Sequence, residues 1–186
     1  MDLLQRLQPL DFSLVILWAA LVAWGASSGV VRQLILTIGV YAAAVLAGSL
    51  YQPAAAAASA GLGRNTLPQL ELGAYVGLFF LMLVLIWIAA RTAYPHTHLS
   101  GRRGTARLDR LLGALLGAVW GAMLLIALVT MLRLYVATPW PGQEETQRTV
   151  GTQLQLAQLP PVLELVLAPL WQIMTPWFPA QVTARL

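Results

Sequence analysis

Read along its length, the chain alternates long apolar runs with short polar connections, and four of the runs are long enough to cross a bilayer. A helix needs about 20 mostly apolar residues to span a ~30 Å hydrocarbon core. The runs lie at about residues 12–28, 33–51, 72–90 and 111–132. Backbone polar groups in hydrocarbon must be satisfied within their own segment, so these spans are expected to be helices. After the fourth run the chain turns polar from Gln143 to Gln158, then apolar again from Val162 to Phe178. That last stretch follows Pro160-Pro161 and is interrupted by Pro169 and Pro176, too short and too broken for a fifth span. Within it Leu163, Val166, Leu167, Leu170, Trp171 and Met174 recur at helical spacing. An amphipathic helix over about 160–175 is expected there, lying at the membrane surface or packed on the outer face of the helices.

The expected fold is therefore an all-α membrane protein. It has a four-helix transmembrane bundle over residues 1–135, and an extracytoplasmic tail over 136–186 with an interfacial amphipathic helix. Whether the Ala-rich stretch 54–66 continues the second helix is open on sequence grounds. Composition agrees with the bilayer reading. Of the 186 residues 59% are hydrophobic and 10% charged, against roughly 25% charged in an ordinary soluble domain. With Asp2, Arg6 and Asp11 ahead of it, the first run lacks the positive flank of a secretion signal and is read as a span.

Charge placement suggests a direction. All eleven basic residues are Arg. Arg32 lies in the first connection, and Arg91, Arg102, Arg103, Arg107 and Arg110 cluster in or beside the third. Counting Arg in short loops puts those two connections in the cytoplasm and both termini outside. The net charge of +4 in so apolar a chain does not suggest nucleic-acid binding.

Candidate chemistry is sparse. There is no Cys, which excludes disulfides, thiolate metal sites and a cysteine nucleophile. His96 and His98 form an H-x-H pair with no neighbouring ligands to complete a metal site, and Ser27-Ser28 has no positioned base in view. No catalytic, cofactor-binding or metal site is expected, and the chain is not read as an enzyme. The interiors of all four spans lack Asp, Glu, His, Lys and Arg, which argues against an ion-coupled carrier. An uncoupled pore lined by Thr37, Tyr41 or Ser49 stays open as the alternative.

The informative residues are small or sit at span ends. Gly113, Gly117 and Gly121 repeat every fourth residue in the fourth span, shadowed by Ala114, Ala118 and Ala122. Small residues at this spacing let helix backbones approach closely in lipid. The second span carries Gly39, Ala43 and Ala47, and the third Gly73 and Gly77. Facing strips predict that the second and fourth helices touch, or that protomers self-associate. Asp109 and Asp11 precede the fourth and first spans, where each can cap its own helix.

Two stretches carry a family resemblance. Ser28-Gly29-Val30-Val31-Arg32 presents G-x-x-R between the first two spans. Asp109-Arg110 followed by Gly113, Gly117 and Gly121 presents D-R-x-x-G-x-x-x-G-x-x-x-G. Together they resemble the colicin V production protein family of bacteria, with Leu99-Ser100-Gly101, Asp11-Phe12 and Leu159-Pro160 also similar. The chain departs from the family in having Trp120 where relatives often carry Arg, and in a longer third connection. The resemblance implies a multi-pass inner-membrane protein linked to toxin production or export and to envelope maintenance. On this reading it is a helical scaffold or assembly factor, with membrane lipids and either further copies of itself or other envelope proteins as partners; a small oligomeric channel or transporter is the alternative.

Overall fold

The computed structural model describes residues 8–62, 67–93, 103–166 and 168–178. Four long helices carry the apolar runs: α1 (Pro9–Ser28), α2 (Val30–Leu62), α3 (Leu67–Ala93) and α4 (Arg103–Ala137). All four are long and apolar enough to cross a membrane. At 1.5 Å per residue α2 and α4 run to roughly 50 Å, well beyond the ~30 Å hydrocarbon thickness. Their extra turns are the polar start of α4 and the Ala-rich end of α2. The alanines after Pro53 thus extend the second helix as far as Leu62; residues 63–66 lie outside the described set. Pro53 cannot donate to the Ser49 carbonyl, a loss that is tolerable where the helix leaves the hydrocarbon.

The helices pack in the order α1, α4, α2, α3, with α1 and α3 scarcely touching. The two central helices bury 56% (α4) and 39% (α2) of their most apolar window, whereas α1 and α3 each bury 17%. Most of the outer surface of α1 and α3 is therefore left to lipid or to other proteins. The core runs through Leu36, Val40, Ala43 and Ala47 of α2, Phe79 of α3, and Trp120, Met123 and Ile126 of α4. Tyr75 anchors the half of the core nearer the C-terminal tail, edge-on to Tyr51 at 6.1 Å and stacked with Phe79 at 6.4 Å.

The tail differs from expectation in two ways. The polar stretch after the fourth span is a helix, α5 (Glu144–Leu156). It is docked on the end of α4 by Gln147 Nε2, which donates to the carbonyls of Tyr135 (2.7 Å) and Thr138 (2.5 Å). The apolar stretch forms two short helices instead of one, α6 (Leu159–Val166) and α7 (Ala168–Met174), followed by a 3-10 turn (Thr175–Trp177). Pro160, Pro161 and Pro169 fall in first turns, where a missing N–H leaves no hydrogen bond unmade. Met174 at the end of α7 and Phe178 beyond it are buried in the core, Phe178 lying 6.1 Å from the Tyr75 ring. Trp177 Nε1 donates to Tyr41 Oη at 3.2 Å, and the Trp177 carbonyl fills the space that a Cβ at Gly48 would occupy. Leu165 and Ile173 stay exposed. The tail is therefore packed onto the four helices on one side and open on the other.

Candidate functional site

The sequence motifs converge on one seam, between α1 and α4. The backbones meet at Gly25. A Cβ there would lie 2.6 Å from the Gly113 carbonyl oxygen and 2.7 Å from Gly117 Cα, and a Cβ on Gly113 would lie 2.6 Å from the Gly25 oxygen. Gly121 lies under Trp18 and Leu21, whose atoms would be 3.1–3.3 Å from an added Cβ. Trp18 Nε1 then donates to the Ala118 carbonyl at 3.1 Å. With no hydrophobic drive between helices in lipid, such close backbone approach is what supplies dispersion contact.

The glycine strip of α4 therefore faces α1, which corrects the expected pairing with the second helix. α4 does touch α2, but through Met123, Ile126 and other large side chains of the core. Gly39 of α2 faces α3 instead, with Ile86 Cγ2 2.5 Å from its virtual Cβ. The reason is that α4 lies between α1 and α2 and meets the Gly25 face of α1 with its glycines, while Gly39 of α2 is turned toward α3. Gly73 and Gly77 of α3 have nothing within 4 Å.

Each end of α1 is held by a buried carboxylate. At the arginine-bearing end, Gly29 is the single residue between α1 and α2, with φ 80° and ψ 158°. That conformation is essentially restricted to glycine. Immediately after it, the Val30 N–H donates to Asp109 Oδ1 at 2.9 Å. Asp109 is thus not the cap of its own helix, which begins earlier at Arg103; it caps α2, a residue 79 positions away. At the other end, Asp11 sits in the first turn of α1 and accepts from the Gln8 N–H at 3.2 Å. Its main work is again for another element, since Leu159 N–H (2.9 Å) and Gln158 N–H (3.2 Å) also donate to it at the start of α6.

Asp11 is fully buried and Asp109 nearly so. Burying a carboxylate is costly unless charge-seeking donors surround it. The free N–H groups and positive dipole end of a helix N-terminus supply such donors. Eighteen residues of helix separate Asp11 from Gly29, roughly 27 Å at 1.5 Å per residue, so the two carboxylates mark opposite ends of the spanning region. Sequence reasoning found both residues: Asp11 does cap its own helix, in a capping box with Gln8, but its bonds to α6 were not foreseen, and Asp109 caps α2 instead of α4.

The remaining motif residues are more peripheral: Arg110 is exposed and Arg32 half-buried. His96 and His98 lie outside the described residues. The hydroxyls considered as pore lining are engaged, Thr37 with the Gln33 carbonyl and Ser49 with the Val45 carbonyl of their own helix, and Tyr41 with Trp177. Two further buried residues escaped the sequence reading. Gly25 is the lone glycine of the first span and sits four before Gly29, a spacing that hinted at contact. Gln33 gave none, yet it is completely buried and neither amide atom has a hydrogen-bond partner.

The order of these parts along the chain matches a known family model, described as colicin V production protein, over residues 10–164. The chain belongs to the colicin V production protein family. It is accordingly a membrane-spanning protein linked to colicin V production. No curated protein and no solved structure matches it. The colicin V production match takes in both buried aspartates, Gly29, the glycine seam and the start of α6; α7 and Trp177 lie beyond it. Trp120, which departs from the family pattern, is buried with its ring 5.2 Å from that of Trp24. A charge at that position in this chain would have to be accommodated inside the core.

Proposed function

We propose that this protein is a helical scaffold or assembly factor of the bacterial inner membrane, acting in toxin production or export and in envelope maintenance, without catalysis of its own. The observation that carries the reading is the imbalance in burial. The α1–α4 seam and the tail lock the centre, while the outer faces of α1 and α3 are left uncovered. On α3 the uncovered stripe runs through Gly73, Gly77, Leu81 and Val84, a surface on which a neighbouring helix can come close. The partners proposed are further copies of this chain or other envelope proteins. Clustering of Arg at the Gly29 end supports a cytoplasmic location for that end and an external one for both termini.

The test uses a photo-crosslinking residue placed singly at Gly77, at Val84 or at buried Phe79, followed by irradiation of intact membranes. Adducts of defined mass from Gly77 and Val84 but not from Phe79 support a scaffold. If the exposed stripe yields no adduct, the reading fails. The alternative, a small oligomeric channel or transporter, is favoured only if reconstituted vesicles show flux above protein-free ones.

A further inference from the structure

Between α1 and α3, at the arginine-bearing end, lies a cavity of about 180 Å³ that opens sideways where those two helices fail to meet. All four long helices contribute to its wall: Trp24 from α1, Leu36 from α2, Ile86 and Trp87 from α3, and Trp120 from α4. Every lining side chain is apolar or aromatic. Just past this wall, toward the helix ends, the chemistry changes. Residues four apart share a helix face, so Arg32 stands one turn beyond Leu36 and Arg91 one turn beyond Trp87. The Arg91 guanidinium lies 5.4 Å over the Trp87 ring. Because Gly39 packs on Ile86, the two arginines come to nearly the same height, about 10 Å and about 8 Å along their helices from that contact. Neither has an ion-pair partner among the described residues.

We propose that this cleft is a binding site for one anionic phospholipid, an acyl chain lying against the tryptophan-rich wall and the phosphate held by Arg32 and Arg91. At about 180 Å³ the cavity is far too small to take in a helix, whose diameter with side chains is about 10–12 Å, so a second protein copy does not fit. A lipid chain does. Two guanidinium groups at the mouth select the headgroup, since Arg pairs bidentately with phosphate oxygens, and basic pockets between spanning helices are suited to anionic lipid heads. This inference is independent of the scaffold reading and of which face of the membrane the arginines occupy.

Native mass spectrometry of the full chain, released from nanodiscs of equal phosphatidylglycerol and phosphatidylcholine, tests it. One phosphatidylglycerol is expected to stay with each chain. R91Q and R32Q should each weaken retention about fivefold, the effect of roughly one headgroup–arginine interaction. Leu83 of α3 also lines the cleft; L83W, which fills it, should abolish retention with both arginines intact. R110Q, an exposed arginine on α4, should leave it unchanged. Equal retention of phosphatidylcholine, an R110Q loss as large as that of R91Q, or binding by L83W at the wild-type level would each overturn the proposal. The arginine variants change exposed or half-exposed side chains, so the test stands even if L83W does not fold.

Discussion

The close approach of α1 and α4 makes Gly25 the position where one added methyl group should be felt most. Placed on Gly25, that methyl would lie 2.6 Å from the Gly113 oxygen and 2.7 Å from Gly117 Cα, where ordinary contact begins at 3.4 Å. Both obstacles are backbone atoms, which no rotamer change can move. The helices must therefore separate by about 0.8 Å, and a gap of that size forfeits a quarter to a half of the dispersion well at each contact along the seam. Overpacking of this kind costs about 1–3 kcal/mol, against a gain of up to about 1 kcal/mol from the better helix propensity of alanine. We expect Gly25→Ala to destabilise by about 1–2 kcal/mol on balance. Gly77→Ala gives the contrast: with nothing within 4 Å, only the propensity gain remains, and the variant should be neutral or slightly more stable. Reversible unfolding in mixed micelles of mild detergent and dodecyl sulfate, followed by tryptophan fluorescence, reads both. Equal effects of the two substitutions would refute the assigned seam, as would a Gly25→Ala protein as stable as wild type.

Three other expectations follow from the buried polar groups and the turn. Asp11→Ala strands the N–H groups of Leu159 and Gln158, at about 1–3 kcal/mol, and should loosen the tail; thermolysin should then cut between α5 and α6 faster than in wild type, with Asp11→Asn intermediate. Unchanged cleavage would mean that the carboxylate does not hold α6. Gly29→Ala forces a side chain into backbone reserved for glycine and should cost about 1–3 kcal/mol, measured in the same micelle titration; no loss there would show that the turn adopts another conformation. Gln33→Leu removes a fully buried amide without partners and should be neutral or stabilising by on the order of 1 kcal/mol. A clear loss of stability would instead reveal that the amide is bonded.

Much of this protein is legible without coordinates because hydrocarbon is an undemanding solvent to read. It rejects charge and unpaired backbone over a fixed thickness, so apolar run length alone marks α1 to α4 and excludes strands. Glycines at every fourth residue likewise announce that some helix approaches α4. What the pattern could not say is which one, since a small residue specifies closeness and not identity. The choice of α1 depends on α4 lying between α1 and α2, and on Gly25 facing the strip while Gly39 faces α3. The same holds for the aspartates. A carboxylate near a helix start satisfies local rules as a cap for its own helix, whereas the fold brings the Val30 and Leu159 N–H groups, distant in sequence, to Asp109 and Asp11. The proline-broken tail could be read as a surface helix or as one packed on the bundle, because nothing local shows that Met174 and Phe178 complete a core whose other walls lie in α2, α3 and α4. Local solvent preference was thus written in the residues; the pairing of distant surfaces, a property of chain packing, was settled only by the tertiary structure.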